Sequence, residues 1–316
     1  MSTVYVLVEH NGSELAATTA ELITAARPLG EVAAVVVGAP GVTQALAPAL
    51  AELGAATVVA AEAADADQRL VLPKVDALAT LAATNPGPIV ISAGVSGNEV
   101  AGRLAARLAS GVLCDVVGIN ADRTAAQSVF GDQIQVSAAV GGASPIYTLR
   151  PGVVESAPVA AAGTVTSVAL PAATVKDVTV TGFTPAQRGS RPDLPAAKVI
   201  VAVGRGIGSA EGMALAEQLA DALGGAVGVT RDIVDLGYYD GAYQVGQTGV
   251  TVSPDLYIGL GVSGAIQHTS GMQTAKKIVV VNNDEDAPIF QIADLGVVGD
   301  LFDVVPALID EINQRK

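Results

Sequence analysis

The chain has 316 residues, of which 31 are acidic and 17 basic, so its net charge is −14. Half of the residues are hydrophobic, but only 3% are aromatic. This length exceeds the ~250–300 residues at which a single hydrophobic core stops growing, which predicts two domains. The acidic balance argues against a nucleic-acid partner and against docking on anionic membranes, because little positive charge is available to neutralise phosphates.

One cysteine and two histidines restrict the chemistry further. Cys114 has no partner for an internal disulfide, so we expect a reducing, cytoplasmic compartment. A single thiolate cannot hold an iron–sulfur cluster, and one cysteine with two histidines falls short of a closed zinc site. No clean run of ~20 apolar residues predicts a membrane span, and the first apolar segment lacks the basic flank of a signal peptide.

Strand-like and helix-like segments alternate through the first third of the chain. Short β-branched runs predict strands over residues 4–8, 32–37, 57–60 and 88–92. Alanine-rich stretches predict helices over residues 13–29, 43–53, 73–83 and 98–109. This alternation predicts a parallel sheet with helices on both faces.

The pattern changes after Leu113 and resumes near Lys198. Strands without intervening helices are predicted at 129–140, 146–149 and 175–181 as an antiparallel edge, and the small residues of 157–175 are interpreted as a linker. Three prolines between 185 and 195 place the boundary between domains of residues 1–190 and 191–316. The second domain has predicted strands at 199–203, 226–229, 257–260 and 278–281 and helices at 210–223 and 301–312. We therefore predict an α/β protein of two doubly wound, mostly parallel, Rossmann-like domains.

Two glycine-rich segments of the second domain suggest ligand binding. The run Gly-Arg-Gly-Ile-Gly at 204–208 follows a strand and is predicted to open a helix, where backbone amides approach phosphates. It fails the G-x-G-x-x-G fingerprint at Ser209, and an ordinary strand-to-helix turn explains the glycines equally well. Arg205 favours an anionic ligand. The run Gln-Val-Gly-Gln-Thr-Gly at 244–249, before a predicted strand at 250–252, is either a polar hairpin turn or a hydrogen-bonding loop.

Residues 257–271 form the most informative segment. The strand runs into Gly261, and Ser263 is predicted to cap a helix carrying Gln267 and His268, an arrangement that suits a pyrophosphate. The G-x-S-x-G elbow of serine hydrolases is broken at Ala265. A lone histidine is more often structural, but the glycine-rich turn beside His268 favours a position facing a ligand.

Other polar residues are predicted near the same ligand or at plain turns. Ligands of doubly wound sheets lie at the carboxyl ends of strands, so Arg205, the Ser263 turn and Asn282 are expected on one rim. Asp300 opens the last helix, where it either reaches a ribose hydroxyl or caps its own helix. A similar run at 94–98 is predicted to be a plain strand-to-helix turn capped by Ser96 or Asn98.

The run Pro-x-Leu-Tyr-Ile-x-Leu-Gly-Val-Ser-Gly-Ala-Ile-Gln-His at 254–268 closely resembles the signature of the electron transfer flavoprotein alpha-subunit family. The Gly-Arg-Gly turn at 204–206, the 244–249 loop and the run Ala-Pro-Ile-Phe-Gln-Ile-Ala-Asp at 287–294 belong to the same resemblance. It is specific from 198 to 312 and looser over the first domain.

The resemblance implies that the C-terminal domain binds FAD. By motif match, the residues that would contact FAD are Arg205, Thr230, Arg231, Val245, Gly246, Gln247, Thr248, Ser263, Gly264, Ala265, Ile266, Gln267, His268, Asn282, Asp300 and Leu301. Arg231 would approach the flavin ring, Thr248 its N5 and His268 its pyrimidine edge. The sequence departs from the family at Asp232, where a small residue is typical.

The resemblance also implies partners. The family pairs with a beta subunit that binds AMP, or a second FAD where the complex bifurcates electrons. Such a heterodimer takes single electrons from flavin dehydrogenases, such as acyl-CoA dehydrogenases, and passes them to a membrane quinone reductase, so we expect a carrier and not an enzyme. Two alternatives remain: a nicotinamide-dependent oxidoreductase, which the broken fingerprint disfavours, and a non-redox nucleotide-binding subunit. A flavin spectrum would separate them.

Overall fold

The structure, a computed structural model, describes residues 2–130, 134–182, 184 and 189–315. It contains two compact units, Met1–Pro185 and Ala186–Lys316. In the part of the chain that is described, no helix combines the length and the apolar character needed to cross a membrane. Both units are α/β, which confirms the predicted fold class.

The N-terminal unit is built on a nine-stranded sheet. Its strands are β1 (Thr3–Leu7), β2 (Glu31–Gly38), β3 (Thr57–Glu62), β5 (Ile89–Ser92), β6 (Val112–Ile119), β7 (Ala125–Val129), β8 (Ile134–Ala138), β9 (Ile146–Leu149) and β10 (Thr164–Ser167), with β4 (Arg69–Leu70) pairing β11 (Val178–Thr179) separately. Their order is β10-β3-β2-β1-β5-β9-β6-β7-β8. All neighbours are parallel except β6–β7 and β7–β8.

Helices cover both faces of this sheet. They are α1 (Thr18–Ala26), α2 (Val42–Leu53), α3 (Leu72–Thr84) and α4 (Val95–Leu108). Leu22 of α1 and Leu50 of α2 belong to one buried cluster, whereas Leu78 of α3 and Leu104 of α4 belong to the other. The strands between them are apolar on both sides, as sheets covered on both faces require.

Three expectations for residues 129–181 were wrong. Strand β9 is not part of an antiparallel edge; it lies between β5 and β6, parallel to both, and all four of its residues are buried. The linker contains β10, which extends the opposite edge of the sheet beside β3. The strand predicted at 175–181 exists as the two-residue β11, but it pairs with β4 and is not part of the antiparallel edge. The predicted antiparallel edge is present and comprises β6, β7 and β8, while residues 131–133 of the strand predicted at 129–140 lie outside the described residues.

The C-terminal unit has a five-stranded, wholly parallel sheet in the order β13-β12-β14-β15-β16. Its strands are β12 (Val199–Val203), β13 (Ala226–Val229), β14 (Leu256–Leu260), β15 (Ile278–Asn282) and β16 (Leu295–Val298), and its helices are α5 (Met213–Leu223), α6 (Arg231–Asp235), α7 (Ile266–Thr269) and α8 (Leu301–Arg315). The long helices α5 and α8 cover one face.

The other face of this sheet is covered by irregular chain rather than by long helices. Val245, Val252, Met272 and Ile289 pack there against the strands. The strand predicted at 250–252 does not form, because Val250 makes only an isolated bridge with Val245. Loops that carry the predicted ligand contacts therefore also complete the hydrophobic core.

Candidate functional site

The five parallel strands of the C-terminal unit end at one rim, and a predicted site residue stands at each end. These residues are Thr230 and Arg231 after β13, Arg205 after β12, Ser263 after β14, Asn282 at the end of β15, and Asp300 and Leu301 after β16. Arg205, the Ser263 segment and Asn282 therefore lie at the same edge of the sheet, as predicted. Their contact with a cofactor stays a prediction.

Two loops meet backbone to backbone where the strand order reverses. A Cβ atom on Gly204 would lie 2.3 Å from the Gly261 carbonyl oxygen, and one on Gly261, whose φ is +59°, would lie 2.6 Å from Gly206 Cα. The Gly206 amide donates to the Gly261 carbonyl at 3.1 Å. Close packing at the switch between β12 and β14 therefore requires these glycines, and this is where open α/β sheets bind ligands.

The segment after β14 differs from its prediction. Helix α7 begins only at Ile266, its N-cap is Ala265, and no side chain caps it, so the prediction of Ser263 as N-cap was wrong. Gly264, with φ of +92°, packs so closely on Ile289 that a Cβ would lie 2.3 Å from the Ile289 nitrogen. This contact keeps the chain out of helical conformation through Ala265.

The consequence is an exposed row of backbone donors. Ser263, Ala265, Ile266 and Gln267 are exposed. Within the residues that the structure covers, the amides of Gly264, Ala265 and Ile266 make no hydrogen bond to the chain. Successive free amides at a rim form a concavity that suits an anion.

His268 is buried, with 5% of its surface exposed, and both of its ring nitrogens bond within the chain. Nδ1 lies 3.0 Å from the Val245 carbonyl oxygen and Nε2 lies 2.6 Å from the Tyr257 hydroxyl. Because a carbonyl only accepts, Nδ1 carries the proton and Nε2 accepts from Tyr257. Burial lowers the pKa of His268 to about 4 and raises that of Tyr257, so the imidazole is neutral at pH 7.

The 244–249 loop is ordered by its own bonds and by α7. Gln244 Nε2 donates to Thr248 Oγ1 at 2.9 Å, and the Gln247 amide donates to the Gln267 carbonyl at 2.7 Å. Val245 and Gly246 are buried, whereas Gln247 and Thr248 are exposed. The loop is more than a hairpin turn, since it holds His268 and presents two polar residues beside the Ser263 segment.

Two arginines on the rim are exposed and paired with aspartates of α6. Arg205 Nη2 lies 2.9 Å from Asp232 Oδ1, and Arg231 Nε lies 3.3 Å from Asp235 Oδ1. Next to Arg231, the Thr230 hydroxyl is buried and has no hydrogen-bond partner within the described chain. A buried hydroxyl without a partner needs an explanation, and a polar ligand at the rim would provide one.

The remaining predicted residues, Asn282, Asp300 and Leu301, make contacts within the chain. Asn282 is buried; its Nδ2 donates to the Val262 carbonyl at 2.9 Å and its Oδ1 accepts from the Asp284 amide at 3.0 Å. Asp300 Oδ1 accepts from the Phe302 amide at 2.8 Å, which is the helix-capping role left open by the sequence. Leu301 is buried in the core. Both polar side-chain atoms of Asn282 are therefore engaged within the chain, and the apolar side chain of Leu301 offers no hydrogen bond to a ligand.

The rim as a whole fits an anionic dinucleotide. It combines two exposed guanidinium groups, a row of free amides, exposed Ser263 and Thr248 hydroxyls and the unpartnered Thr230 hydroxyl. FAD, with its pyrophosphate and polar flavin edge, matches this donor set. The sequence signalled most of these groups but not the bond of Tyr257 to His268, because a buried tyrosine in an apolar strand gives no functional signal.

Comparisons with known proteins agree with this geometry. The family model described as "Electron transfer flavoprotein domain" matches residues 4–175, and that described as "Electron transfer flavoprotein FAD-binding domain" matches residues 193–273. The electron transfer flavoprotein subunits alpha of Mycobacterium leprae and Mycobacterium tuberculosis are 51% and 53% identical to this chain over the full length of both sequences. That of Paracoccus denitrificans is 40% identical over 94% of this chain and 96% of its own.

Proposed function

The chain belongs to the electron transfer flavoprotein alpha-subunit family, and we propose that it is the FAD-carrying subunit of a heterodimeric electron shuttle. The observation that carries this proposal is the rim of the C-terminal unit. A predicted contact residue lies at or just after the carboxyl end of each of its five parallel strands, and the matched FAD-binding domain covers the first three of these strands.

The residues divide into two groups by their chemistry. Arg205 and the free amides of Gly264 to Ile266 would hold the pyrophosphate, because they are the unpaired donors and the exposed cation nearest the switch between β12 and β14. Arg231, Thr230 and Thr248 would face the flavin ring. The cofactor supplies one-electron chemistry, and these residues bind it, orient it and set the electrostatic field around it.

His268 would act as a neutral group at the flavin edge. Its Nδ1–H is committed to the Val245 carbonyl, and its Nε2 accepts from Tyr257. A neutral imidazole adds no full charge beside the ring. Arg231 is then the cation that stabilises negative charge accumulating on the flavin.

The proposed partners follow from the family. Alpha subunits of electron transfer flavoproteins pair with a beta subunit, which would hold AMP here, or a second FAD if the complex bifurcates electrons. Flavin dehydrogenases such as acyl-CoA dehydrogenases would donate single electrons in the cytoplasm, and a membrane quinone reductase would accept them. The chain would bind no substrate of its own.

Purification with and without the beta subunit tests the proposal. The chain has no tryptophan and few aromatic residues to shield a flavin ring, so we expect the partner to supply part of the pocket. The heterodimer should be yellow, with FAD identified by spectrum and mass, and the chain alone should carry much less. A colourless heterodimer would overturn the proposal, and full FAD occupancy of the isolated chain would refute the shared pocket.

A further inference from the structure

The ion pair between Arg205 and Asp232 bridges two neighbouring strand ends. Arg205 follows β12, Asp232 lies in α6 just after β13, and the guanidinium and carboxylate are 2.9 Å apart. The Arg205 side chain is 75% exposed and that of Asp232 is 48% exposed. The guanidinium that would meet a phosphate is therefore already held by an anion of the chain itself.

Arg205 has fewer and more exposed contacts than an arginine that stabilises the fold. Arg69 is buried and bonds to Asp177, Asp76 and the Pro171 carbonyl. Arg205 makes one side-chain bond within the described chain, to Asp232. A single exposed ion pair contributes little to stability, so another anion can readily replace its carboxylate.

A carboxylate and a phosphate present oxygen atoms to a guanidinium in similar ways. Both accept charge-assisted N–H···O bonds, often two in parallel. We propose that Asp232 occupies the place of a ligand phosphate on Arg205, so that anionic ligands bind this rim in competition with the Asp232 carboxylate. This inference rests on the proposed function, because it takes the ligand to be FAD bound through its pyrophosphate.

Competition has a defined signature in variants of this chain. Asp232→Asn keeps the side-chain shape but removes the charge, so it releases Arg205 and removes repulsion of the ligand. Asp255→Asn is the matched control: Asp255 pairs with Lys276 at 2.9 Å, is 50% exposed, and precedes β14 at the opposite, amino end of the strands. Both variants remove one negative charge and one exposed ion pair.

The test is a titration of the flavin-free heterodimer with FAD, followed by flavin fluorescence. We expect Asp232→Asn to lower the Kd about two- to fivefold, the range that one exposed ion pair allows. Asp255→Asn should leave the Kd unchanged. Arg205→Ala should raise the Kd for FAD, and adding Asp232→Asn to Arg205→Ala should restore little of the lost affinity. Equal FAD affinities of the Asp232→Asn and Asp255→Asn proteins would overturn the proposal. So would a gain in FAD affinity from Asp232→Asn that is as large in the Arg205→Ala protein as in the wild type.

Calorimetric titration with inorganic pyrophosphate separates this inference from the proposed function. If the heterodimer binds no FAD, the proposed function fails. Pyrophosphate should nevertheless bind the Asp232→Asn protein about two- to fivefold more tightly than the Asp255→Asn protein. If pyrophosphate binds both proteins equally, or binds neither, Asp232 does not compete for the anion.

Discussion

The same four residues, Gly-Val-Ser-Gly, follow a parallel strand in each unit and fold differently. At 94–97 they follow β5, and helix α4 begins at once with Val95. At 261–264 they follow β14, and helix α7 begins only at Ile266. Val95 is 92% exposed, whereas Val262 is 1% exposed. The first copy is a turn into a long helix; the second is an extended rim loop.

Contacts outside the tetrapeptide decide between the two structures. Helix α4 continues for 14 residues, with Val100, Ala101 and Leu104 on its buried side, so helix formation can start early. The second copy is fixed at both ends, because Gly261 packs on Gly206 and Gly264 packs on Ile289. A short glycine motif therefore does not specify a binding loop. The segments packed against it expose its amides or fold them into a helix.

The largest expected effect comes from adding a methyl group to the first glycine of each copy. Gly261 has φ of +59° and a Cβ there would overlap Gly206, whereas a Cβ on Gly94, at φ +150°, meets nothing within 4 Å. Gly94→Ala should cost about 1–3 kcal/mol of unfolding free energy from backbone strain alone. Gly261→Ala should cost more than about 4 kcal/mol, because steric overlap is added. Urea unfolding of both variants measures this, and similar costs would refute the role of Gly206.

The neutral His268, which lies shortly after the second copy, predicts that the free energy of unfolding depends on pH. No histidine lies beside the first copy. Its pKa is about 4 in the folded chain and ~6.5 when unfolded, so the unfolded state binds more protons between these values. The resulting stability is present above pH 6.5 and is lost as the pH falls towards 4, a change of about 2–3 kcal/mol.

Urea unfolding between pH 7 and 4.5 checks this expectation. His268→Asn should flatten the pH profile of unfolding free energy relative to the wild type. His10→Asn, which removes the histidine of the N-terminal unit, should retain the contribution from His268. Identical slopes in the two variants would mean that His268 is not buried in its neutral form.

The sequence predicted which residues share one edge of the sheet better than it predicted their contacts. Carboxyl ends of parallel strands share an edge, so locating the strands was enough to bring Arg205, Ser263 and Asn282 onto one rim. The prediction of Ser263 as an N-cap was wrong because the local sequence does not show that Gly264 packs on Ile289.

Partners far apart in sequence account for the other differences. The central place of β9 and the pairing of β10 with β3 depend on which strands become neighbours. A buried apolar strand has the same sequence pattern whichever strand it pairs with. The bonds of His268 to Tyr257 and Val245 likewise join three separate segments. Periodicity along the chain carries no information about such pairings.

Arg231 and Arg103 offer a matched pair of exposed arginines for a redox test. Each forms an ion pair with a carboxylate four residues away, Arg231 with Asp235 and Arg103 with Glu99. Arg103 lies in α4, behind the first Gly-Val-Ser-Gly copy. If the flavin lies at the rim of the C-terminal unit, Arg231→Ala should lower the first one-electron potential and Arg103→Ala should not change it.

The size of that shift follows from screened electrostatics. A unit charge at ~4 Å contributes about 4 kcal/mol at an effective dielectric constant of ~20, which is a ceiling of roughly 170 mV for one electron. The Arg231 side chain is 62% exposed and paired with Asp235, so we expect a fall of several tens of millivolts. Redox titration of the variant heterodimers measures it; an unchanged potential would place Arg231 away from the ring.

The smallest expected effect compares the two serines of the repeated tetrapeptide. Ser96 and Ser263 are both exposed, and neither hydroxyl makes a hydrogen bond within the described chain, so removing either one should leave the unfolding free energy nearly unchanged. If Ser263 donates to the pyrophosphate, Ser263→Ala should lose one hydrogen bond worth about 0.5–1.5 kcal/mol and weaken FAD binding about two- to tenfold. Ser96→Ala should not, because Ser96 lies in the first turn of α4 in the other unit. FAD titration of the two variant heterodimers decides the point, and equal Kd values would show that the second copy binds through its backbone amides alone.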